Sequence, residues 1–309
     1  MDYPILASDH YSGNYLPGIF SPDRLAAMKD HGFQLGVFKA SMGGGVDGRT
    51  VGGKWVDTPA IYCDLWRAAG LKAGLYHWAD PTRPAPFQFD FFHWQIKRLA
   101  PDCVALDWEQ NWANWTEYWE YIARTREGKD VRNCTPTKIN SNADELDALI
   151  QPVADAYKIP FENYFYCHFP LTYGGGSYKL KKKDPPWLAI YPRIPAEHLV
   201  CETWAEFDQL LRDLVIGKSP LTQSAGVPIG VTTWRWWQFA STITLPGSAG
   251  KMDMSIFNGG QAEFNAWLNQ PPPAPPVYFD QLPAAEKFDV LERHLRKAGD
   301  VDQDGEVRI

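Results

Sequence analysis

The order of apolar runs constrains this chain more than any other feature. Over residues 1–268, short β-rich runs alternate with longer amphipathic stretches, the pattern of strands joined by helical crossovers. Eight strand-like runs stand out: Pro4 to Asp9, Gln34 to Ala40, Lys72 to Trp78, Cys103 to Glu109, Tyr164 to Phe169, Trp187 to Tyr191, Thr232 to Phe239 and Asp253 to Phe257. Helical spacing is expected over Pro22 to His31, Pro59 to Ala69, Phe87 to Leu99, Trp115 to Arg126, Ala143 to Tyr157 and Trp204 to Val215, with Ser21, Thr58, Asn114 and Asn142 as candidate caps. The pattern predicts an α/β fold, an irregular TIM-like β/α barrel.

The barrel is expected to fill residues 1–269. A proline-rich linker follows at 270–283, opened by QPPPAPP, a stiff and extended composition. A helical, acidic tail occupies 284–309, where Phe288, Leu291 and Leu295 share a helical face too short to build its own core. That tail reads as a segment for wall binding or assembly, or as a helix folded back on the barrel. Its last residues place Asp300, Asp302, Asp304 and Gly305 at calcium-loop spacing, but ten residues of a twelve-residue loop are present, so a solvated acidic end is the stronger reading.

Composition narrows the function. With 30 Lys+Arg against 37 Asp+Glu the chain carries a net charge of -7, which repels phosphate and excludes general nucleic-acid binding. The basic run Lys179 to Lys183 lies among glycines and prolines and reads as a solvated loop. No run nears the ~18 apolar residues of a membrane span, so no membrane insertion is expected. The N-terminus has neither the basic start nor the apolar core of a secretory signal. Synthesis in the cytoplasm without a signal peptide is therefore the expectation. Five cysteines at wide spacings, without C-x-x-C, fit neither a disulfide framework nor a zinc knuckle.

Several runs stay apolar and then end in an acid or an amphipathic aromatic: LASD, GLYHW, ALDWE. In a β/α barrel the chemistry sits at the C-terminal strand ends, and repetition across strands outweighs the reading of each acid as a mere turn residue. Asp107 and Glu109 are two apart, so strand alternation puts both on one face and Trp108 on the other. Close carboxyl groups raise one another's pKa, which supplies a general acid beside an anion. The chain also holds 14 Trp and 14 Tyr. Tyr76, Trp78, Trp112, Trp234, Trp236 and Trp237 fall on or beside strand ends, and flat rings with a polar handle suit sugar faces. His10 and His77 adjoin strand ends and are candidates to line a cleft. No serine-elbow, zinc-helix, P-loop or dinucleotide motif is present; Gly43 to Gly45 lacks the lysine of a nucleotide loop, and no metal or other cofactor is expected.

These residues match something known. ASDHYSG is similar to the first-strand D-x-S-x-x-x-G of the family 25 glycoside hydrolases, and GVFKAS to their I-K-A-[ST]. AGLKAGLYHWA, ALDWE, WLAIY, WWQF and MDMSIFNG resemble five later strand motifs in the same order. The resemblance runs from about Pro4 to Trp267. It implies an irregular β/α barrel of the lysozyme type that cleaves the β-1,4 bond between N-acetylmuramic acid and N-acetylglucosamine in bacterial peptidoglycan. It also implies Glu109 as proton donor, with Asp107 orienting or stabilising the 2-acetamido group if the reaction is substrate-assisted. Asp9 and Asp253 complete the acidic floor, and Tyr76, Trp78, Trp112, Tyr191, Trp237 and Gln238 bind substrate. The missing signal and the appended tail suit a phage lysin or a virion-associated wall enzyme. Departures are Met42-Gly43 in place of Glu-Gly, Ser255 in place of Asn, and longer stretches at Cys134 to Asn163 and Thr172 to Pro186. Two further readings are a catalytically silent wall-binding or virion module on the same barrel, and a glycosidase of another aminosugar polymer.

Overall fold

The computed structural model describes residues 3–11, 20–43, 45–51, 53–80, 84–109, 136–166, 184–192, 194, 199–222, 230–248 and 250–268. The strands are β1 (Leu6–His10), β2 (Phe33–Met42), β3 (Gly45–Val46), β4 (Arg49–Val51), β5 (Lys54–Val56), β6 (Lys72–Trp78), β7 (Val104–Trp108), β8 (Phe161–Tyr166), β9 (Trp187–Ala189), β10 (Trp236–Ile243) and β11 (Met252–Phe257). The helices are α1 (Pro22–Asp30), α2 (Thr58–Ala68), α3 (Ala85–Leu99), α4 (Pro136–Tyr157), α5 (Trp204–Leu214) and α6 (Gln261–Leu268). The linker and tail expected at 270–283 and 284–309, the helix expected at Trp115 to Arg126 with its cap Asn114, and the Lys179 to Lys183 run lie outside the described residues.

Eight strands close into a barrel in the order β1-β11-β10-β9-β8-β7-β6-β2, and β2 pairs back onto β1. All neighbours are parallel except β11, which runs antiparallel to both β10 and β1. Helical crossovers imply parallel neighbours, and β11 departs from that arrangement. The physical reason is the short connection from Ile243 to Met252, which reverses the chain without room for a crossover helix.

Period-two alternation sorts each strand into two cores. Ala7, Leu35, Val37, Trp187, Ala189 and Trp236 pack inside the barrel. Phe38, Leu75, Leu106, Leu188, Trp237 and Phe239 face outward into the layer shared with the helices. One end is plugged by aromatics: Trp236 lies 5.4 Å from Trp187, 5.0 Å from Phe257 and 5.6 Å from Trp267 of α6, ring centre to ring centre. The starts of β9 and β10 and the end of β11 meet there, so the opposite, C-terminal end is the one left open for ligand.

Local signals set the helix starts. Ser21 caps α1 through Oγ, which accepts from the Arg24 amide at 3.3 Å. Thr203 and Glu206 form a reciprocal capping box on α5. The cap of α2 is Asp57 rather than Thr58, its carboxylate accepting from the Ala60 amide. Asn142 lies inside α4, which begins at Pro136. β8 starts three residues before the expected Tyr164 because Glu162 and Asn163, polar in sequence, are buried with partners: Asn163 bonds Trp108 and Asp147, and Glu162 accepts from Trp267. Residues 49–56, outside the eight strand-like runs and the helical stretches, form the hairpin β4–β5, an antiparallel pair separate from the barrel. No helix among the described residues is long and apolar enough to cross a membrane.

Candidate active site

The open end of the barrel holds a cleft of about 600 Å³. Its wall is built by register. Asp9 at the end of β1 stands opposite Asp253 at the start of β11, which reaches this end because that strand is reversed. Lys39 pairs with Tyr76, Trp78 with Asp107, and Asp107 with Tyr164, on successive neighbouring strands. Glu109 follows β7 directly, on the Asp107 side of the strand, while Trp108 turns outward and donates its indole N–H to Asn163 Oδ1 at 3.1 Å. All of these except Trp108 and Asn163 line the cleft, together with Tyr11 and Trp187.

Four carboxyl groups converge here in poor contact with solvent. Burial is the main force raising the pKa of each. Asp9 is pushed up to about 7. Asp107, 7% exposed, is raised well above the carboxylate range by burial, then by the charges of Glu109 and Asp9, with Lys39 opposing. Asp253 is raised by burial and by the neighbouring charge of Asp9, its register partner. Two carboxyl groups held this close disfavour ionisation of both. Glu109 is raised by burial, against hydrogen bonds from Tyr164 and Trp78 and the nearby Lys39 cation, which favour its anion. The Tyr164 hydroxyl donates to Glu109 Oε1 at 3.0 Å.

Lys39 is the cation lining this cleft. Its Nζ sits 4.9 Å from the Tyr11 ring centre and 5.1 Å from that of Trp78, with the Asp47 carboxylate at 3.8 Å. One cation beside four carboxyl groups offsets only part of these upward shifts, and acids so close together titrate interdependently. The sequence reading anticipated mutual repulsion between Asp107 and Glu109; desolvation proves the larger cause.

The acids Glu109, Asp107, Asp9 and Asp253 come together, as do Tyr76 and Trp78. Tyr191 is 37% exposed beside the cleft, its ring 6.0 Å from Tyr166, and the negative charges of Glu109, Asp253 and Asp9 help burial to raise its hydroxyl pKa. Trp112 lies outside the described residues. Trp237 is fully buried in the outer layer, donating to the Ile190 carbonyl at 2.6 Å, so it supports the wall from behind rather than facing sugar. Gln238 is buried in the barrel and does not line the cleft. Neither do the two histidines. His10 packs among Phe20, Phe38 and Tyr62, and His77 is held by Ser41 and Gln88; burial drives their pKa values down to about 3 and about 4.

Lys39, Tyr164 and Trp187 are site residues that the sequence reading did not single out. Period two from Leu35 and Val37 places Lys39 on the inner face and could have found it. Trp187 is fixed by its indole N–H, which donates to Ser255 Oγ at 3.0 Å. Among the described residues no group of three or more His, Cys, Asp or Glu is arranged to hold a metal ion.

The fold is shared with solved glycoside hydrolases. A bacterial lysozyme from Streptomyces coelicolor superposes with a TM-score of 0.56 at 18% identity, over 87% of this chain and 99% of that one. A muramidase from Acremonium alcalophilum gives 0.55 at 14% identity, over 86% and 99%. The catalytic domain of endolysin ply40, from bacteriophage P40 of Listeria monocytogenes, gives 0.52 at 14% identity, over 87% and 100%. No curated protein sequence matches the chain. The model of the glycosyl hydrolases family 25 matches residues 25–248, and the strands β1 and β11 that flank this span complete the same barrel and carry Asp9 and Asp253. The chain belongs to the glycosyl hydrolases family 25.

Proposed function

We propose that this protein is a peptidoglycan hydrolase, an N-acetylmuramidase that cleaves the β-1,4 bond between N-acetylmuramic acid and N-acetylglucosamine. The observation that carries the reading is the placement of Glu109: a glutamic acid whose pKa burial raises, gripped by Tyr164 at 3.0 Å, on the wall of an acidic cleft with aromatic sides. Family membership and the likeness to lysozymes and muramidases support the substrate class.

In this account the glycan strand lies across the open end of the barrel, and Glu109 gives its proton to the glycosidic oxygen as the bond to the anomeric carbon breaks. Positive charge builds on the sugar ring, and water then adds to the anomeric carbon while the Glu109 carboxylate takes up its proton. Asp107, on the same wall, stabilises that charge or the 2-acetamido group that assists from the substrate. Asp9 and Asp253 face one another on the cleft floor, and the charge of Asp9 helps to raise the pKa of Asp107. Lys39 holds part of this acidity ionised. Tyr76 and Trp78 offer ring faces to sugar, and no cofactor takes part. The place of action is the bacterial cell wall; the likeness to a phage endolysin domain supports a role in lysis.

The test is release of new reducing ends from purified peptidoglycan, run beside chitin. Release from peptidoglycan alone is expected. Release from chitin alone would assign the barrel to another aminosugar polymer, and tight wall binding without release would make it a silent binding module.

A further inference from the structure

The hairpin β4–β5 stands beside the cleft, and its one large aromatic is turned out to water. Asp47 and Gly48, which lead into β4, line the cleft. Across the hairpin Thr50 pairs with Trp55, and the Trp55 ring lies over Gly48 so closely that a side chain at 48 would collide with it. Trp55 is nonetheless 58% exposed, the most exposed large hydrophobic among the described residues. The turn is Gly-rich, with Gly53 at a φ of 77°, a left-handed conformation suited to glycine in a tight hairpin.

An indole held against glycine backbone, with more than half of its surface in solvent, is costly to leave uncovered in water, and a hairpin of this size has no core of its own to hide it. Its position identifies a ligand. A linear polymer bound in the cleft must leave over the rim, and the rim formed by Asp47 and Gly48 runs directly into Trp55. Ring faces of aminosugars are apolar and flat, and they match an exposed indole. Arg49 and Lys54 bring positive charge to the same hairpin, which suits a chain that carries carboxylates.

We propose that Trp55 forms an outlying sugar subsite, binding a unit of the β-1,4-linked aminosugar strand beyond those held in the acidic cleft. This rests on the peptidoglycan reading above and extends it to substrate length. The subsite makes affinity grow with chain length, and it acts on binding rather than on bond cleavage.

The experiment is calorimetric titration of Glu109→Gln and of Glu109→Gln/Trp55→Ala with peptidoglycan-derived glycans of two, four, six and eight sugars. Circular dichroism first establishes that both fold. In the single variant affinity is expected to climb with length. In the double variant that climb is cut about five- to tenfold for the longer chains, the disaccharide affinity stays within twofold, and Trp55→Phe restores part of the loss. Equal affinities of the two proteins at every length would overturn the subsite, as would an equal loss for the disaccharide and the octasaccharide. Absence of binding by either protein, with no cleavage by wild type, would overturn the peptidoglycan reading and the subsite together.

Discussion

Asp9 and Asp253 are register partners across the antiparallel junction of β1 and β11, and burial raises the pKa of both carboxyl groups. This pairing exists only because β11 is reversed. A parallel last strand would carry the start of MDMSIF, and Asp253 with it, to the plugged end of the barrel.

The raised pKa of Asp9 makes stability depend on pH. Burial moves the Asp9 carboxyl from 3.8 up to about 7, so the folded state binds a proton that the unfolded chain has released. The stabilisation from that proton is full below about pH 4 and is lost as the pH rises through about 7. Asp9→Asn, which needs no proton, is therefore expected to gain on wild type in urea unfolding as the pH goes from about 5 to about 8, while losing activity. A constant difference over that range would mean that Asp9 is ionised in the folded protein.

Removing the hydroxyl of Tyr164 tests the grip on the acid. The bond to Glu109 Oε1 favours the carboxylate, so Tyr164→Phe is expected to raise the Glu109 pKa further and shift the alkaline limb of the pH-rate profile upward. A drop of about tenfold in kcat is expected from losing a charge-assisted bond. An unshifted limb would show that Tyr164 orients something other than the acid.

Lys39→Met removes the cation that opposes the raised pKa values of Asp107 and Glu109. The alkaline limb is again expected to move up, and Lys39→Arg to restore it. Because Lys39 also rests over the Trp78 ring, KM for glycan should rise in the Met variant; a change in kcat alone would separate the lysine from substrate binding.

Behind the active wall, Trp108 donates to Asn163, and Asn163 donates to the buried Asp147 at 2.9 Å. Asn163→Leu removes one hydrogen bond from each of these buried groups and is expected to cost about 1–3 kcal/mol, read as a lowered urea midpoint with kcat of the folded fraction retained. Undiminished stability would show that solvent satisfies these groups.

The barrel was legible because eight runs changed period from two to 3.6 at predictable points, and β6 was bounded at Lys72 and Trp78 as found. The pair Asp107 and Glu109 was legible from alternation alone. What was hidden depended on partners distant in sequence. Glu162 and Asn163 look like loop residues until Trp267, Trp108 and Asp147 satisfy them. Trp237 looks like a sugar platform until its neighbour Trp236 takes the inner face and turns it outward. Strand direction was hidden as well, since the run Asp253 to Phe257 reads the same for either orientation.

The central claim is that Glu109 protonates the bond next to N-acetylmuramic acid. It is tested most directly by mass spectrometry of fragments released from purified peptidoglycan by wild type and by Glu109→Gln, with the new ends reduced by borohydride. Muramitol ends from wild type, reduced about 100-fold or more in the folded variant, are the predicted result. Glucosaminitol ends, or undiminished release by Glu109→Gln, would contradict it.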